Sequence, residues 1–227
     1  MQALLKQTQS GQVDIIPHSI GIVSQELNNF VIIKYLLLIM SDLLRQHFEK
    51  IMPLTDEMFG YILSHFTTRS LKKHQYLIQE GDKVESDYWV ARGLLKSFYT
   101  DETGRDYILQ FAMEDWWISD YLAYSTNSPA SLNIDCIEDC EVYVLSIKSR
   151  EKLCNEIHAI ANFFRTKTSY GFIGVQQRIL LLLLKNPRER YDRLLQLNPK
   201  LVQRVPKILL ASYLGVSRES LSRFSNS

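Results

Sequence analysis

The sequence predicts an α+β protein in which an antiparallel β-roll of the jelly-roll type is followed by helices. Between residues 67 and 147, short apolar stretches alternate with Gly-containing and acidic turns, at intervals of about ten residues. From residue 149 onward, apolar residues recur instead at the spacing of three or four that is typical of helices. The C-terminal third is also basic, whereas the remainder of the chain is acidic. These observations predict a strand-rich domain joined to a separate helical domain.

Residues 1–39 read as an N-terminal extension of doubtful structure. Their apolar run over residues 30–40 is interrupted by Lys34 and is too short to span a bilayer, so no membrane association is predicted. The run also lacks the basic region and the small-residue cleavage site of a signal peptide. One hypothesis is that the native protein begins at Met40, before an amphipathic helix over about residues 41–51. An intact mass of 26.5 kDa from the native host would contradict it.

The β-roll is predicted for residues 40–154. Its strand-like segments end at turn signals such as Glu80-Gly81-Asp82, Arg92-Gly93 and Asp101-Glu102-Thr103-Gly104. Antiparallel rolls with short strands of this spacing commonly hold a ligand between their sheets. A ligand-binding role is therefore open to this domain.

A long central helix is predicted for residues 155–185, with a capped start at 148–151 and a break near Gly171 or Gly174. An apolar stripe of this length commonly packs against a symmetric mate, so the sequence predicts a homodimer. Packing against the chain's own roll is the alternative. The predicted dimer residues are Ile157, Ile160, Phe164, Thr168 and Gly171, and the stripe continues through Val175, Ile179, Leu182 and Leu183.

The C-terminal region, 186–227, reads as a series of short helices. Asn186-Pro187 starts one helix and Asn198-Pro199 closes it after residue 197. Two further helices surround Gly215, which tolerates the positive φ that a sharp turn requires. Pro206 suits the first position of the earlier helix, and Ser217 suits the N-cap of the later one.

The last helix has one polar face. At about 100° per residue, the side chains of Arg218, Ser222, Glu219 and Arg223 lie on one side, and those of Leu221 and Phe224 lie on the other. Arginine can donate two hydrogen bonds to guanine O6 and N7, and glutamate can accept one from cytosine N4. The pattern predicts a helix-turn-helix that reads the major groove, although an ordinary amphipathic helix with a solvated face has the same spacing. The predicted DNA-binding residues are Ser217, Arg218, Glu219, Ser222 and Arg223.

Charge is distributed unevenly along the chain. Residues 1–149 hold 12 basic and 20 acidic side chains, a net charge of −8, whereas residues 150–227 hold 14 basic and 5 acidic ones, a net charge of +9. Such a basic region favours contact with a polyanion such as double-stranded DNA. The alternative function is a ligand-binding or scaffolding roll whose helical tail makes protein contacts only.

Composition and cysteine content indicate a globular protein of a reducing compartment. Hydrophobic residues make up 46% and charged residues 22% of the chain. Its three cysteines, Cys136, Cys140 and Cys154, are too few for a disulfide scaffold, so a cytoplasmic location and a structural role for these thiols are predicted. Residues 75–147 contain no histidine, which argues against a metalloenzyme roll. No enzymatic activity and no metal site are predicted.

Taken together, these features resemble the Crp/Fnr family of bacterial transcription regulators, over about residues 40–224. The most specific part of the resemblance is the terminal run A-S-Y-L-G-V-S-R-E-S-L-S-R, which is similar to the helix-turn-helix of the family. The recognition residues of that motif fall on Arg218, Glu219 and Arg223. The run R-E-R-Y at 188–191 resembles members of a Bacteroidetes-type branch.

The resemblance implies an organisation and a set of partners. Residues 40–154 would form a cyclic nucleotide-binding-like sensor domain, residues 155–185 a dimerisation helix, and residues 186–227 a winged helix-turn-helix domain. The protein would be a cytoplasmic homodimer on a palindromic operator, with RNA polymerase as a further candidate partner.

The candidate effector pocket departs from the family pattern. Cyclic-nucleotide binders of the family carry a Gly-Glu-Leu turn followed by an Arg-Ser pair, which fall here on Ser119-Asp120-Tyr121 and Ala130-Ser131. Asp120 could still accept a hydroxyl group, but Ala130 cannot neutralise a buried phosphate. Cyclic AMP is therefore not expected, no cofactor is predicted, and the effector is unidentified. Aromatic residues beside the turn predict a pocket that is either aromatic or filled. The candidate pocket residues are Trp117, Ser119, Asp120, Tyr121, Ala130 and Ser131.

Overall fold

A computed structural model describes residues 39–225 of the chain, without the side chains of the last two. The chain divides into two compact units, residues 1–42 and residues 43–227. Only residues 39–42 of the first unit are described, and they are helical, so the predictions for 1–38 lie outside the described residues. All that follows concerns the second unit. Within the described range, no helix combines the length and the apolarity needed to cross a membrane.

Two helices precede the strands. Helix α1 comprises the helical residues up to 49, and α2 spans Asp56–Leu63. Thr55 is the N-cap of α2, where its hydroxyl oxygen accepts a hydrogen bond from the N–H of Met58 at 3.2 Å. The predicted amphipathic helix over 41–51 thus lies within two residues of the observed one.

Eight antiparallel strands form two four-stranded sheets. The first sheet has the strand order β1-β8-β3-β6 and the second has the order β2-β7-β4-β5. The strands are β1 Phe66–Leu71, β2 Tyr76–Ile78, β3 Ser86–Arg92, β4 Leu94–Thr100, β5 Asp106–Met113, β6 Trp117–Ile118, β7 Asn133–Cys136 and β8 Cys140–Ser146. The predicted antiparallel roll is confirmed.

The space between the sheets is filled by side chains of the roll itself. The buried cluster includes Val90, Leu95, Ile134 and Val142, and Trp116 packs against it. Aliphatic and aromatic groups therefore occupy the interior where a roll could hold a ligand. Of the two alternatives for the interior, an aromatic pocket or a filled one, this packing favours the second.

Gly93 allows β3 and β4 to meet in a tight turn. Its φ of +107° is a conformation that side chains rarely adopt. A Cβ at this position would lie 2.6 Å from both the carbonyl oxygen of Asp139 and the Sγ of Cys140. Glycine is required here by backbone conformation and by space together.

Helices make up the rest of the described chain. They are α3 Tyr121–Thr126, α4 Ile147–Glu156, α5 His158–Leu184, α6 Pro187–Leu197, α7 Pro199–Arg204, α8 Lys207–Leu214 and α9 Arg218–Ser225. Helix α6 matches its predicted bounds, and a capping box between Asn186 and Glu189 fixes its start. Helix α7 was not predicted. The described residues after β8 contain no strand, so the predicted wing is not found among them.

The long helix begins later than its predicted start at 148–151. Those residues belong to α4, and the chain leaves helical geometry at Ile157, where φ is −126° and ψ is 98°. Helix α5 then continues for 27 residues without a break at Gly171 or Gly174. The sequence predicts one helix in place of α4 and α5 because apolar residues keep a spacing of three or four across Ile157.

The predicted dimer residues separate into two groups along α5. Ile160 and Phe164 are buried inside the chain, with the ring of Phe164 5.6 Å from that of Trp117. They therefore serve the alternative role, packing against the roll, and cannot meet a symmetric mate. Ile157 is half-buried just before α5, while Thr168 and Gly171 are exposed.

The C-terminal helices pack on the outer face of the second sheet. One buried cluster joins side chains of the roll to side chains of α6, α7, α8 and α9. This cluster contains residues from both sides of the domain boundaries that the sequence predicts at 154 and 185. Those boundaries therefore remain predictions. The buried members from the roll are Leu94, Phe98, Ile108, Phe111 and Ile137, and those from the helices are Tyr191, Leu201, Val205, Leu210, Ala211, Leu214 and Leu221.

The turn at Gly93 generates a testable prediction. Gly93→Ala should lower the free energy of unfolding by at least about 2 kcal/mol more than Gly104→Ala, because rigid backbone and a buried thiol block the new methyl group. Gly104 also has a positive φ, of +79°, but no atom lies within 4 Å of its Cβ position. Denaturant unfolding of both variants measures the difference. Equal losses would show that only the backbone conformation matters at position 93.

Candidate nucleic-acid interface and sensor region

The turn between α8 and α9 is built as the sequence predicts. Gly215 adopts left-handed geometry, with a φ of 65° and a ψ of 42°, and ends α8. The hydroxyl oxygen of Ser217 accepts a hydrogen bond from the N–H of Ser220 at 3.2 Å and so caps α9. Pro206 precedes α8 rather than occupying its first helical position. The two short helices are thus fixed relative to each other.

Helix α9 buries one side and exposes the other. Leu221 is 1% exposed and belongs to the cluster shared with α8 and the roll. Arg218, Glu219 and Arg223 are exposed, and Ser222 is half-buried. The structure therefore presents the predicted polar face outward, while the apolar side chain at 221 anchors the helix. The side chain of Phe224 lies outside the described residues.

Glu219 carries its negative charge at the N-terminal end of α9. Its own backbone N–H interacts with the carboxylate, and the positive charges of Arg218 and Arg223 act on it. These interactions hold the pKa of Glu219 below its usual value. The face thus offers an ionised acceptor between two cationic donors, which suits the edges of base pairs.

Arg204, at the end of α7, ties the C-terminal helices to the roll. Its Nη1 and Nη2 donate to the two carboxylate oxygens of Glu114 at 2.6 and 3.0 Å. Its Nε and Nη2 donate to those of Glu138 at 3.1 and 2.7 Å. The hydrogen bonds that the guanidinium donates to Glu138, and then those to Glu114, raise the pKa of Arg204, so this group stays charged. The two glutamates lie in different turns of the roll, and both are held by one side chain.

Two further contacts connect the helices to β5. The Nη2 of Arg178, on α5, donates to the carbonyl oxygens of Ile108 at 2.9 Å and Tyr213 at 3.1 Å, and the guanidinium stacks on the ring of Tyr213 at 3.6 Å. The hydroxyl of Ser212 donates to the carbonyl oxygen of Asp106 at 3.0 Å. Helix α8 is therefore fixed to the roll by polar contacts as well as by the apolar cluster.

The predicted effector residues are engaged with the chain itself. The Asp120 carboxylate is fully buried and accepts hydrogen bonds from two backbone segments, so it has no capacity for the ligand hydroxyl that the sequence suggested. Ala130 is buried in the core of the roll. The hydroxyl of Ser119 donates to the carbonyl oxygen of Ser86 at 2.9 Å, and that of Ser131 donates to Asp120.

Trp117 points away from these residues, toward α1. Its Nε1–H donates to Nε2 of the buried His47 at 2.8 Å. The Nδ1 of the same imidazole lies 2.5 Å from a carboxylate oxygen of Asp115, which also pairs with Lys50. Because Nε2 accepts, the neutral ring carries its proton on Nδ1 and donates to Asp115. Burial lowers the pKa of His47 despite the carboxylate.

Tyr121 takes part in a network that joins four elements. Its hydroxyl donates to the buried carboxylate of Asp87, on β3, at 3.1 Å. Arg150, on α4, donates to the other oxygen of Asp87 at 3.3 Å, and its guanidinium lies 4.3 Å from the centre of the Phe164 ring on α5. Burial raises the pKa of Asp87 to about 7, against the opposing effect of Arg150. The network fixes α3, α4 and α5 against the first sheet.

Residues that could hold a metal ion are not grouped in the described part of the chain. No cluster of three or more His, Cys, Asp or Glu side chains with suitable positions occurs there. Cys136 and Cys140 are buried in the core of the roll, as a structural role requires.

The comparisons with known proteins agree with the fold. Residues 68–156 match the family of the cyclic nucleotide-binding domain. The described β1–β8 and α4 cover this range, so the region is an antiparallel roll of the cyclic nucleotide-binding domain type. The match covers less than half of the chain and leaves the C-terminal helices outside it.

Among curated proteins, the chain is similar to transcription regulators. It is 25% identical over 181 residues to the anaerobic regulatory protein of Bacillus subtilis. This alignment covers 75% of this chain and 76% of that protein. It is 26% identical over 101 residues to the cAMP-activated global transcriptional regulator CRP of Salmonella typhimurium. This alignment covers 44% of this chain and 48% of that protein. The second alignment thus spans about half of the relative's length.

Among solved structures, the chain is similar in fold to FixK2 from Bradyrhizobium japonicum. The TM-score is 0.62 at 22% sequence identity, and the match covers 71% of this chain and 83% of that one. The similarity extends beyond residues 68–156, so the arrangement of a roll followed by helices has a precedent.

The sequence did not identify the residues that join the parts of the molecule. Arg204, Arg178, Asp87, Arg150 and His47 had no place in its candidate sites. The one usable signal was the pair of acidic turns at 114–115 and 138–139, which are rich in carboxylates beside a basic C-terminal region. The partners of a carboxylate, however, depend on which segments the fold brings together.

The buried Asp87 predicts a pH dependence of stability. Its pKa is about 7 in the folded state, against an ordinary value of 3.8, so the folded protein binds this proton more tightly than the unfolded chain. The contribution to stability is therefore complete below pH 4 and is lost as the pH rises to about 7, by at most about 4 kcal/mol.

Asp87→Asn removes this titration. The free energy of unfolding of the wild type, minus that of the variant, should fall between pH 4 and pH 7 and stay constant above pH 8. Urea unfolding of both proteins across this range gives the difference. A constant difference would mean that the carboxylate ionises normally beside Arg150.

Proposed function

We propose that the chain is a sequence-specific DNA-binding transcription regulator of the Crp/Fnr type. The observation that carries the proposal is the pair α8–α9. A glycine turn and a serine cap fix the two helices, Leu221 anchors α9 to the core, and Arg218, Glu219 and Arg223 point to solvent. A helix held on a rigid base with such a face outward can enter the major groove. The regulator names of the similar curated proteins support the same function.

The charge distribution supports approach to DNA. The basic surplus of residues 150–227 would attract the phosphate backbone, whereas the acidic roll would be repelled from it. Exposed basic side chains of the same region, such as Lys207 at the start of α8, would contact phosphates and leave base reading to α9. The roles of Ser217 and Ser222 in this proposal are contacts with the DNA backbone.

The exposed half of α5 supports a homodimer on a palindromic operator. Large apolar side chains are exposed there, with Phe172 70% exposed and Leu183 74% exposed. Exposed residues recur at alternating spacings of four and three, which is the repeat of a coiled-coil seam. These residues are Thr168, Phe172, Val175, Ile179 and Leu182. The proposed seam thus begins at 168, one turn after the buried Phe164, and replaces the earlier residues of the predicted stripe.

A two-fold dimer would also explain how two copies of α9 read one site. Each copy would meet one half-site, so the operator would be palindromic with half-sites about one helical turn of DNA apart. The rigid contacts of Arg204 and Arg178 would set the distance between the two reading helices.

Base reading by Arg218 can be tested with one matched control. Selection from random duplexes by the purified protein should recover a palindromic site. Arg218→Ala should then weaken binding to that site by about 1–3 kcal/mol per half-site and relax the preference at one base pair, because a bidentate contact is lost.

Arg193→Ala is the control for charge. Arg193 is an exposed arginine on α6, and its loss should weaken binding to all duplexes slightly without changing the preferred sequence. Fluorescence anisotropy at several salt concentrations measures both effects. If the selection recovers no sequence either without nucleotide or with added cyclic AMP or cyclic di-GMP, or if Arg218→Ala leaves the preference intact, the proposed function is wrong.

The dimer seam predicts the effect of a charge on α5. Ile179→Glu places a carboxylate in the seam and should convert the dimer to monomers, because the charge would be buried in the interface. Gln177→Glu adds the same charge to the same helix, about 160° away around its axis, and should leave the dimer intact. Analytical ultracentrifugation distinguishes the two. Dissociation by both variants, or by neither, would contradict the seam.

A further inference from the structure

The sensor domain contains a buried carboxylate that accepts five hydrogen bonds from the chain itself. Asp120 is 0% exposed. Its Oδ1 accepts from the backbone N–H groups of Leu122 and Ala123, both at 3.2 Å. Its Oδ2 accepts from the N–H of Ser131 at 2.8 Å, from the hydroxyl of Ser131 at 3.2 Å, and from the N–H of Leu132 at 3.1 Å. One side chain thus joins the first turn of α3 to a segment that follows eleven residues later.

This arrangement has the form of a bound anion. Backbone N–H groups from two segments converge on one negatively charged group, as they do around phosphates and carboxylates. A carboxylate has about four lone-pair positions, so five donors saturate it. The same donors are satisfied by Asp120 and have no remaining capacity for an external anion. At position 130, next to this centre, the buried residue is an alanine and carries no charge.

The position of α3 is transmitted to the long helix. The hydroxyl of Tyr121, the first residue of α3, donates to Asp87, which also accepts from Arg150 of α4. The guanidinium of Arg150 lies on the ring of Phe164, in the buried half of α5. A continuous set of contacts therefore runs from Asp120 through α3 and α4 to α5, the helix that leads to the C-terminal region.

We propose that Asp120 is an internal anion that takes the place of an external effector. It holds α3 against residues 131–132 permanently, so that the DNA-reading arrangement forms without a bound nucleotide. Asp120 is a positioning residue, since it acts through α3 and the Asp87–Arg150 pair and not on DNA. This inference rests on the proposed function and specifies its regulation.

The test compares DNA binding by the full-length wild type and by Asp120→Ala, on the selected duplex and without nucleotide. The wild type should bind. The variant should remain folded, and its affinity for the duplex should fall by at least about tenfold, because the arrangement of α3 that favours binding is no longer fixed.

Thr55→Ala is the matched control. It also removes an N-cap acceptor, at the start of α2, but there a single exposed hydrogen bond is lost in place of five bonds to a buried carboxylate. It does not touch the contacts between α3 and α5, so its DNA affinity should equal that of the wild type. Both variants are compared at a temperature at which each is fully folded, so that a loss of affinity in Asp120→Ala alone is due to positioning and not to unfolding.

If Asp120→Ala fails to fold, Asp120→Asn tests the same contacts. The amide retains one acceptor oxygen but presents hydrogen atoms to the other donors. Hydrogen exchange at the amides of residues 122, 123, 131 and 132 should then accelerate, together with a loss of DNA affinity.

Three results would overturn the inference. The first is a folded Asp120→Ala that binds DNA as the wild type does. The second is a wild type that binds DNA only after saturation with cyclic AMP or cyclic di-GMP, which would leave the proposed function intact. The third is a wild type that selects no duplex under any of these conditions, which would overturn the proposed function as well.

Discussion

Burial of the second sheet on both faces is the constraint on which the rest of the structure depends. Strand β4 is buried at every position from Leu94 to Phe98, because Leu95 faces the interior of the roll while Leu94 and Phe98 face the C-terminal helices. A sheet between two apolar layers cannot shift in register without exposing one of them. The C-terminal helices are therefore a structural layer of the molecule, and the outward direction of α9 follows from how α8 lies on β5.

Local sequence signals predict more of the fold than of the candidate sites. The bounds of α6 follow from Asn186-Pro187 and Asn198-Pro199, since capping and proline geometry act within a few residues. The division of α5 could not be found in this way. Its apolar stripe is continuous in sequence, yet Phe164 meets the roll and Val175 meets solvent. Periodicity gives the face of a helix, but only the fold determines what covers that face.

The same distinction applies to the site residues. The polar face of α9 could be derived from spacing, because all its members lie within two helical turns. The environment of Asp120 could not be derived, because its donors at Ser131 and Leu132 return from beyond α3. A carboxylate at this position reads from the sequence as a group that binds a ligand. In the structure, it is bound by its own chain.

A roll with a filled interior still has a physical reason to be attached to the proposed DNA-reading helix. Arg204 holds two turns of the roll with one guanidinium, and Arg178 fixes β5 to Tyr213. The four C-terminal helices α6–α9 would have little apolar surface to bury if they were isolated from the roll. The roll supplies that surface through Phe98, Ile108 and Phe111. In the proposed dimer along α5, the roll would therefore act as a rigid arm, and its contacts with α8 would fix the separation and orientation of the two copies of α9.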